Sequence, residues 1–292
     1  MTLAHTPETV CTAKLAAAPL KAIPPKHYGQ WLTVAAVAVL GAALVVALAR
    51  NENLDYAVVG EYLTSASIMQ GLLTTFQLTA ISMVLGVLIG MVVAVARMSG
   101  NRVLQALAGF YIWFFRGVPL IVQILIWGNF SLLFSTLGVG IPFTNIMFFE
   151  FETNAVITTF VASILGLALH EGAYMAEVVR GGILGVDLGQ EEAATALGMS
   201  GALAMRRVIL PQAMRIIIPP TGNQLISLLK ASSLVSVIAG GDLMTAVNDV
   251  AAANYRTIEM LLVGTFWYLA IVTVLSLGQR FLERRASRGH NR

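Results

Sequence analysis

The chain has 292 residues, of which 57% are hydrophobic and only 11% charged, and its mean hydropathy is +0.79. A soluble globule is excluded, because apolar stretches of about 20 residues are what cross the roughly 30 Å hydrocarbon core of a bilayer as helices. The net charge of +3 comes from basic residues dispersed among polar segments, which excludes a nucleic-acid partner, and the lone Cys11 excludes a disulfide framework.

In chain order, residues 1–29 hold three lysines and Pro24-Pro25 and read as a cytoplasmic tail. Such a polar lead makes the next apolar segment a poor signal peptide. A first spanning helix is predicted over 31–49, inside a segment 30–50, followed by an extracytoplasmic loop over 51–69. The second span covers Met69–Ala96 and contains Gly86-Val-Leu-Ile-Gly90, a spacing of small residues that lets two helices approach closely. Residues 103–116, with Tyr111, Trp113 and Arg116, suit the inner interface. A third span is predicted from Val118 to Leu137, with Pro119 tolerated in its first turn. An outer loop over 138–153 leads to a fourth span, Asn154–Val179, which ends in the polar string HEGAYMAEVVRGG. A fifth span runs from Val208 to Ser233. A Gly-rich outer loop (Gly240, Gly241, Asp242, Asn248, Asp249), a sixth span Ile258–Gln279 and a basic tail over 286–292 complete the chain.

Six spans put both termini on one side, and the charges choose which. The segments read as inner carry Lys14, Lys21, Lys26, Arg97, Arg102, Arg116, Arg180, Arg206, Arg207, Arg215, Arg280, Arg284, Arg285, Arg288 and Arg292, which is 15 of the 18 Lys and Arg residues. Cytoplasmic loops carry such an excess, so both termini and the 181–211 loop are predicted to be cytoplasmic.

That loop holds Glu191, Glu192, Ala193 and Ala194, a helix-forming run whose acids sit near a helix N-terminus, where the dipole favours them. Gly198 interrupts it, and Met199, Leu203 and Met205 flank it with apolar side chains. Two readings follow: a helix for another protein's groove, or a helix lying on lipid headgroups.

Here a family resemblance enters. Glu192-Ala193-Ala194-x-x-x-Gly198 followed by Val208-x-Leu210-Pro211 resembles the EAA motif of ABC importer permeases. GLLTTFQLT at 71–79, FRGVPLIVQ at 115–123, GAYMAEVVRGGI at 172–183 and IPPTGNQLISLLKASSLVSVI at 218–238 resemble the polar amino-acid uptake branch (histidine, glutamine, arginine or opine). The resemblance spans about 70–285. It implies an all-α, five-helix type I permease core preceded by one additional helix, with Glu191, Glu192, Ala193, Ala194, Gly198, Leu210 and Pro211 forming the element that docks on a cytoplasmic ATPase. It also implies partners: a second permease subunit, identical or different, an ATPase dimer that uses ATP and magnesium, and an extracytoplasmic solute-binding protein, all at a bacterial inner membrane. The chain departs from the branch at His170 and Glu171, where a small or amide residue is usual.

Ionisable groups inside spans usually face a bundle interior or a water-filled path. His170, Tyr174 and Glu177 fall on one face of the fourth span, and Glu177 and Arg180 are spaced to pair. Asn223, Ser227 and Lys230 form a second stripe in the fifth span. The two stripes either line one path, with Lys230 meeting an amino acid's carboxylate and Glu171 its ammonium group, or hold helices together. No cofactor is expected in this chain: it has no Gly-x-x-x-x-Gly-Lys-Ser/Thr phosphate loop, its four histidines lack metal-ligand spacing, and no Gly-x-Ser-x-Gly elbow occurs. A transport subunit rather than an enzyme is therefore expected. The competing reading is an ion-coupled secondary transporter that relays protons through His170, Glu171 and Lys230.

Overall fold

The computed structural model describes residues 28–140 and 147–287. The expectations for the tail before residue 28, for the stretch around Pro142 and for the last basic residues lie outside them. Residues up to Leu54 and residues from Asp55 onward form two separate units. In the first, α1 (Tyr28–Ala49) is apolar around its whole circumference, as a lipid-facing helix is.

The second unit opens with α2 (Tyr56–Tyr62), which is capped by the Asp55 carboxylate accepting from the Ala57 and Val58 amides. Its frame is the pair α3 (Ala66–Met98) and α7 (Thr159–Leu184), both long and apolar enough to span a membrane. The predicted close approach is present. A Cβ added at Gly90 would lie 2.6 Å from the Met175 Cβ and 2.9 Å from the Ala176 nitrogen, and one at Gly86 would lie 2.7 Å from the Glu171 Cγ. The two helices therefore touch nearly backbone to backbone.

The third span is corrected. In place of one helix over Val118–Leu137 there are α4 (Arg102–Gly117) and α5 (Leu120–Gly128), bent by 98° at Val118-Pro119. Proline cannot donate to the helical ladder and forces the residue before it out of the helical region, so the chain turns there. Nor does 103–116 stand apart as a surface helix. Gln105 shares a cavity with Arg180 and Leu184, Arg116 covers the Tyr174 ring, and Phe115 and Tyr111 reach His170 and Leu169, so α4 climbs along α7.

The outer loop carries a two-stranded hairpin, β1 (Thr136–Gly140) and β2 (Met147–Glu152), before a short turn α6 (Thr153–Val156). The fourth span accordingly begins at Thr159 rather than Asn154 and ends at Leu184 rather than Val179.

After α7 come α8 (Leu188–Ala196), α9 (Gly201–Ala204), one π turn (Met205–Ile209) and α10 (Leu210–Ala231). The continuous helix of the fifth span thus starts at Gly201, about two helical turns earlier than predicted. The Gly-rich outer loop is also corrected: Leu243–Asn254 is a helix, α11. Asp242 caps it by accepting from Met244 and Thr245, and Leu243, Val247 and Ala251 recur at helical spacing into a core with Ile68, Met260 and Val263. A last helix, α12 (Thr257–Ser287), holds the predicted sixth span. Two further core clusters, one around Leu78, Ile124 and Leu228 and one around Ala94, Met175 and Ile217, lie along the α3–α7 frame.

Gly90→Val should push α3 off the Met175 backbone and cost about 1–3 kcal/mol by overpacking. Thermal unfolding in detergent reads this, with Gly100→Ala, which meets nothing within 4 Å, as the control.

Candidate functional site

The element that carries the acidic-alanine run is built from a turn that only glycine fits well. The Asp187 carboxylate accepts from the Gly189 amide at 2.7 Å and starts α8. At the other end, the Gly198 amide donates to the Thr195 carbonyl at 2.9 Å and the Met199 amide to the Ala194 carbonyl at 3.0 Å, with Gly198 at φ +75°. This paired arrangement closes a helix through a left-handed glycine and satisfies its last carbonyls. Beyond the turn, the helix that restarts at Gly201 runs unbroken into α10. Its π turn explains Leu210-Pro211: the Leu210 amide bonds five residues back, to Met205, so the widened turn makes room for a proline ring that would strike the carbonyl four residues before it.

Of the four residues in the acidic-alanine run, only Ala194 is buried, at 3% exposure, and it packs the α8 helix down. Glu191, Glu192 and Ala193 are open, beside Leu188 and Leu197 at 74% and 82% exposure. Gln212 donates to Gln190 at 3.0 Å and ties α8 to α10. Acids next to exposed leucines on a short, firmly closed helix make a face fit for another protein's groove.

The polar face of α7 meets the α4–α5 break. Pro119 supplies no amide for the Phe115 carbonyl, and two side chains fill the gap. Gln123 donates through Nε2 to Phe115 O at 2.9 Å and to Val118 O at 2.8 Å, and His170 Nδ1 lies 3.1 Å from Phe115 O. A carbonyl only accepts, so Nδ1 carries the proton, and both Gln123 amide hydrogens are already engaged. The 3.3 Å approach of Gln123 to His170 is then a packing contact. Tyr174 stacks near His170 at 5.0 Å and lies under Arg116 at 5.1 Å. One turn on, Arg180 grips Glu177 with its Nη2 at 2.7 Å and its Nε at 3.2 Å, forming the predicted pair.

Glu171 points elsewhere. It is buried against Gly86 of α3, within reach of Gln224 of α10, and its Oε1 has no hydrogen-bond partner among the described residues. The stripe on α10 does not join it. Asn223 accepts from Gln279 of α12 at 2.9 Å, Ser227 is exposed, and Lys230 borders a cavity lined by Met244, Thr265, Tyr268 and Leu269. Within one chain the stripes on α7 and α10 therefore face different neighbours. The sequence assigns Gln123 no role, although an amide four residues after a proline is its signal, and it places Asp242 in a loop, whereas the structure buries Asp242 with Thr245 beside Thr75.

Comparison with known proteins agrees with this architecture. Residues 86–288 match the family described as "Binding-protein-dependent transport system inner membrane component". The arginine transport system permease protein ArgU of Corynebacterium glutamicum is 42% identical over 94% of this chain and 85% of its own. The arginine transport system permease protein ArtQ of Bacillus subtilis is 33% identical over 75% of this chain and 91% of its own. A crystal structure of an amino acid ABC transporter with histidines superposes at TM-score 0.68, with 34% identity, over 80% of this chain and 99% of that one. The inward-facing MetNI methionine ABC transporter, at 19% identity, shares the fold at TM-score 0.57, over 78% of this chain and 98% of its own. The chain belongs to the binding-protein-dependent transport system inner membrane component family, the membrane subunits of ABC importers.

Gln123→Leu should leave the Val118 carbonyl without its side-chain donor and cost about 1–3 kcal/mol, whereas His170→Ala, which leaves Gln123 on the Phe115 carbonyl, should cost about 0.5–1.5 kcal/mol. Thermal unfolding of the purified chain checks this. A His170 that serves substrate alone would leave the midpoint unchanged.

Proposed function

We propose that this permease imports polar amino acids, arginine first among them, by alternating access across a bacterial inner membrane. The observation that carries the substrate is the 42% identity to an arginine permease over 94% of the chain, a stretch long enough to take in α1 as well as the core. Opines and other polar amino acids belong to the same reading. The partners are a second permease subunit, a cytoplasmic ATPase dimer that uses ATP and magnesium, and an extracytoplasmic binding protein.

In this reading α8 is the input. Closure of the ATPases moves Glu191 and Glu192, and the motion passes through Ala194 and the Gly198 turn into the continuous helix that carries Leu210 and Pro211. A bistable bundle then opens toward the binding protein and returns after hydrolysis. Glu171, Gln224 and Lys230 remain candidates for contact with the solute when two subunits face each other. His170, Tyr174, Glu177 and Arg180 act as a gate around the α4–α5 break, with Asn223 and Ser227 on the neighbouring helix. The proton-relay alternative has no support from the family, and His170 is held at a backbone carbonyl, away from Lys230.

Three measurements test this. In proteoliposomes with the partner ATPase and binding protein, Glu192→Ala should lower arginine uptake about tenfold while hydrolysis persists, the effect of losing one charged contact. Uptake at the wild-type rate removes the coupling role, and collapsing the proton gradient with ATP present should leave transport intact. For orientation, an impermeant maleimide should label Cys11 in inside-out vesicles and spare it in right-side-out ones.

A further inference from the structure

The end of the α3–α4–α7 bundle that carries the arginines holds a polar cavity, of whose lining the transport reading uses only Glu177 and Arg180. It measures 420 Å³ and is lined by Arg97, Met98, Gln105, Glu177, Arg180 and Leu184. Arg116, one turn along over Tyr174, adds its field: Arg180, Arg116 and Arg97 all act on the Glu177 carboxylate. Arg97 and Arg180 thus line the cavity together with Glu177, whose carboxylate is already held by Arg180.

The arginines have donors to spare. Arg97 is laid across Gly109, where a Cβ would lie 3.2 Å from its Nη1, and that Nη1 donates to the Gln105 carbonyl at 3.0 Å. Its Nε and other Nη make no hydrogen bond among the described residues. Arg180 uses Nε and Nη2 on Glu177, which leaves Nη1 open. Arg116 lies over the Tyr174 ring and makes no hydrogen bond among the described residues. A fixed planar fork with two free N–H groups matches adjacent oxygens of a phosphate better than it matches any neutral ligand.

We propose that this cavity binds the phosphate of an anionic membrane phospholipid. The choice of a lipid over a free phosphate rests on what adjoins the arginines. Met98 and Leu184 form part of the wall, and Leu184 is 63% exposed; Val95, one turn before Met98 on α3, and Leu104, beside Gln105 on α4, are also exposed apolar residues, a surface for acyl chains. Basic pockets between spanning helices on the cytoplasmic side take anionic headgroups in this way. The placement in the inner leaflet rests on the orientation proposed above; the site itself does not.

The test uses the complete transporter in nanodiscs of phosphatidylcholine with about one-fifth phosphatidylglycerol, an anionic lipid. Native mass spectrometry counts the lipids that remain bound. Wild type should retain phosphatidylglycerol, and the Arg97→Gln/Arg116→Gln double variant should retain about tenfold less, as loss of a charged hydrogen bond implies. Arg116→Gln alone, which breaks no hydrogen bond, should weaken retention without shifting the unfolding midpoint in pure phosphatidylcholine. That keeps the result readable if Arg97 proves necessary for folding. Equal phosphatidylglycerol retention by wild type and both variants overturns the proposal. So does displacement of the lipid by millimolar inorganic phosphate or by arginine, which would make the site one for a soluble ligand. The count does not depend on leaflet, so its failure is separable from a failure of the Cys11 labelling.

Discussion

Inside a bilayer the association of helices has no hydrophobic drive of its own, so it depends on how closely backbones can meet. In this chain that constraint is met on α7. Three of its glycines each receive a side chain from a different helix: Gly166 takes Ile124 of α5, Gly172 takes Ile89 of α3 together with the Tyr111 hydroxyl of α4, and Gly182 takes Ile217 of α10. Gly86 and Gly90 of α3 do the converse and accept the α7 backbone. The helix with the densest polar string is therefore also the central post of the bundle, and its polar groups are positioned by glycine contacts a few residues away.

The second constraint is that each break in a spanning helix must be repaired by a nearby group. Pro119 turns the chain by 98°, and Gln123 and His170 satisfy the carbonyls it leaves. Pro211 follows directly on a π turn. Pro219 and Pro220 sit within α10, where they remove the ladder donors for the Arg215 and Ile216 carbonyls. Pro119 and Pro211 thus mark departures from the regular ladder with local accommodation, and at Pro119 the repair recruits residues that look like site residues when read in isolation.

This explains what was legible. The Gly86/Gly90 spacing, the glycine stop after α8 and the Glu177–Arg180 pair are local, and each is fixed by helical geometry within a few residues. The third span differs from its expectation because Gly-Val-Pro reads equally as the start of a helix and as an elbow between two. Helix α11 was hidden because Gly240-Gly241-Asp242 announces a turn, while the cap that Asp242 provides depends on burial beside Thr75. Helical spacing put His170, Tyr174 and Glu177 on one face correctly. It was silent on which neighbour each face meets, and so Lys230, at the correct period, turned out to border α11 and α12 instead of α7.

The arrangement around Gly198 bears on how motion at α8 would reach the membrane. Between α8 and the start of α9 at Gly201 there is a single closed turn, and from Gly201 to Ala231 the helical path has no gap, only a widened turn at 205–209. A push on α8 would thus be delivered along a helix axis instead of through a slack loop. The first half of α10, with Ala213 and Ile217, is the part seated in the Gly182 notch of α7. The second half begins at Pro219-Pro220, where two consecutive ladder bonds are missing and bending is least costly. A helix stiff up to its seat and compliant just past it would rotate its second half while its first half stays docked. That is the motion alternating access asks of it.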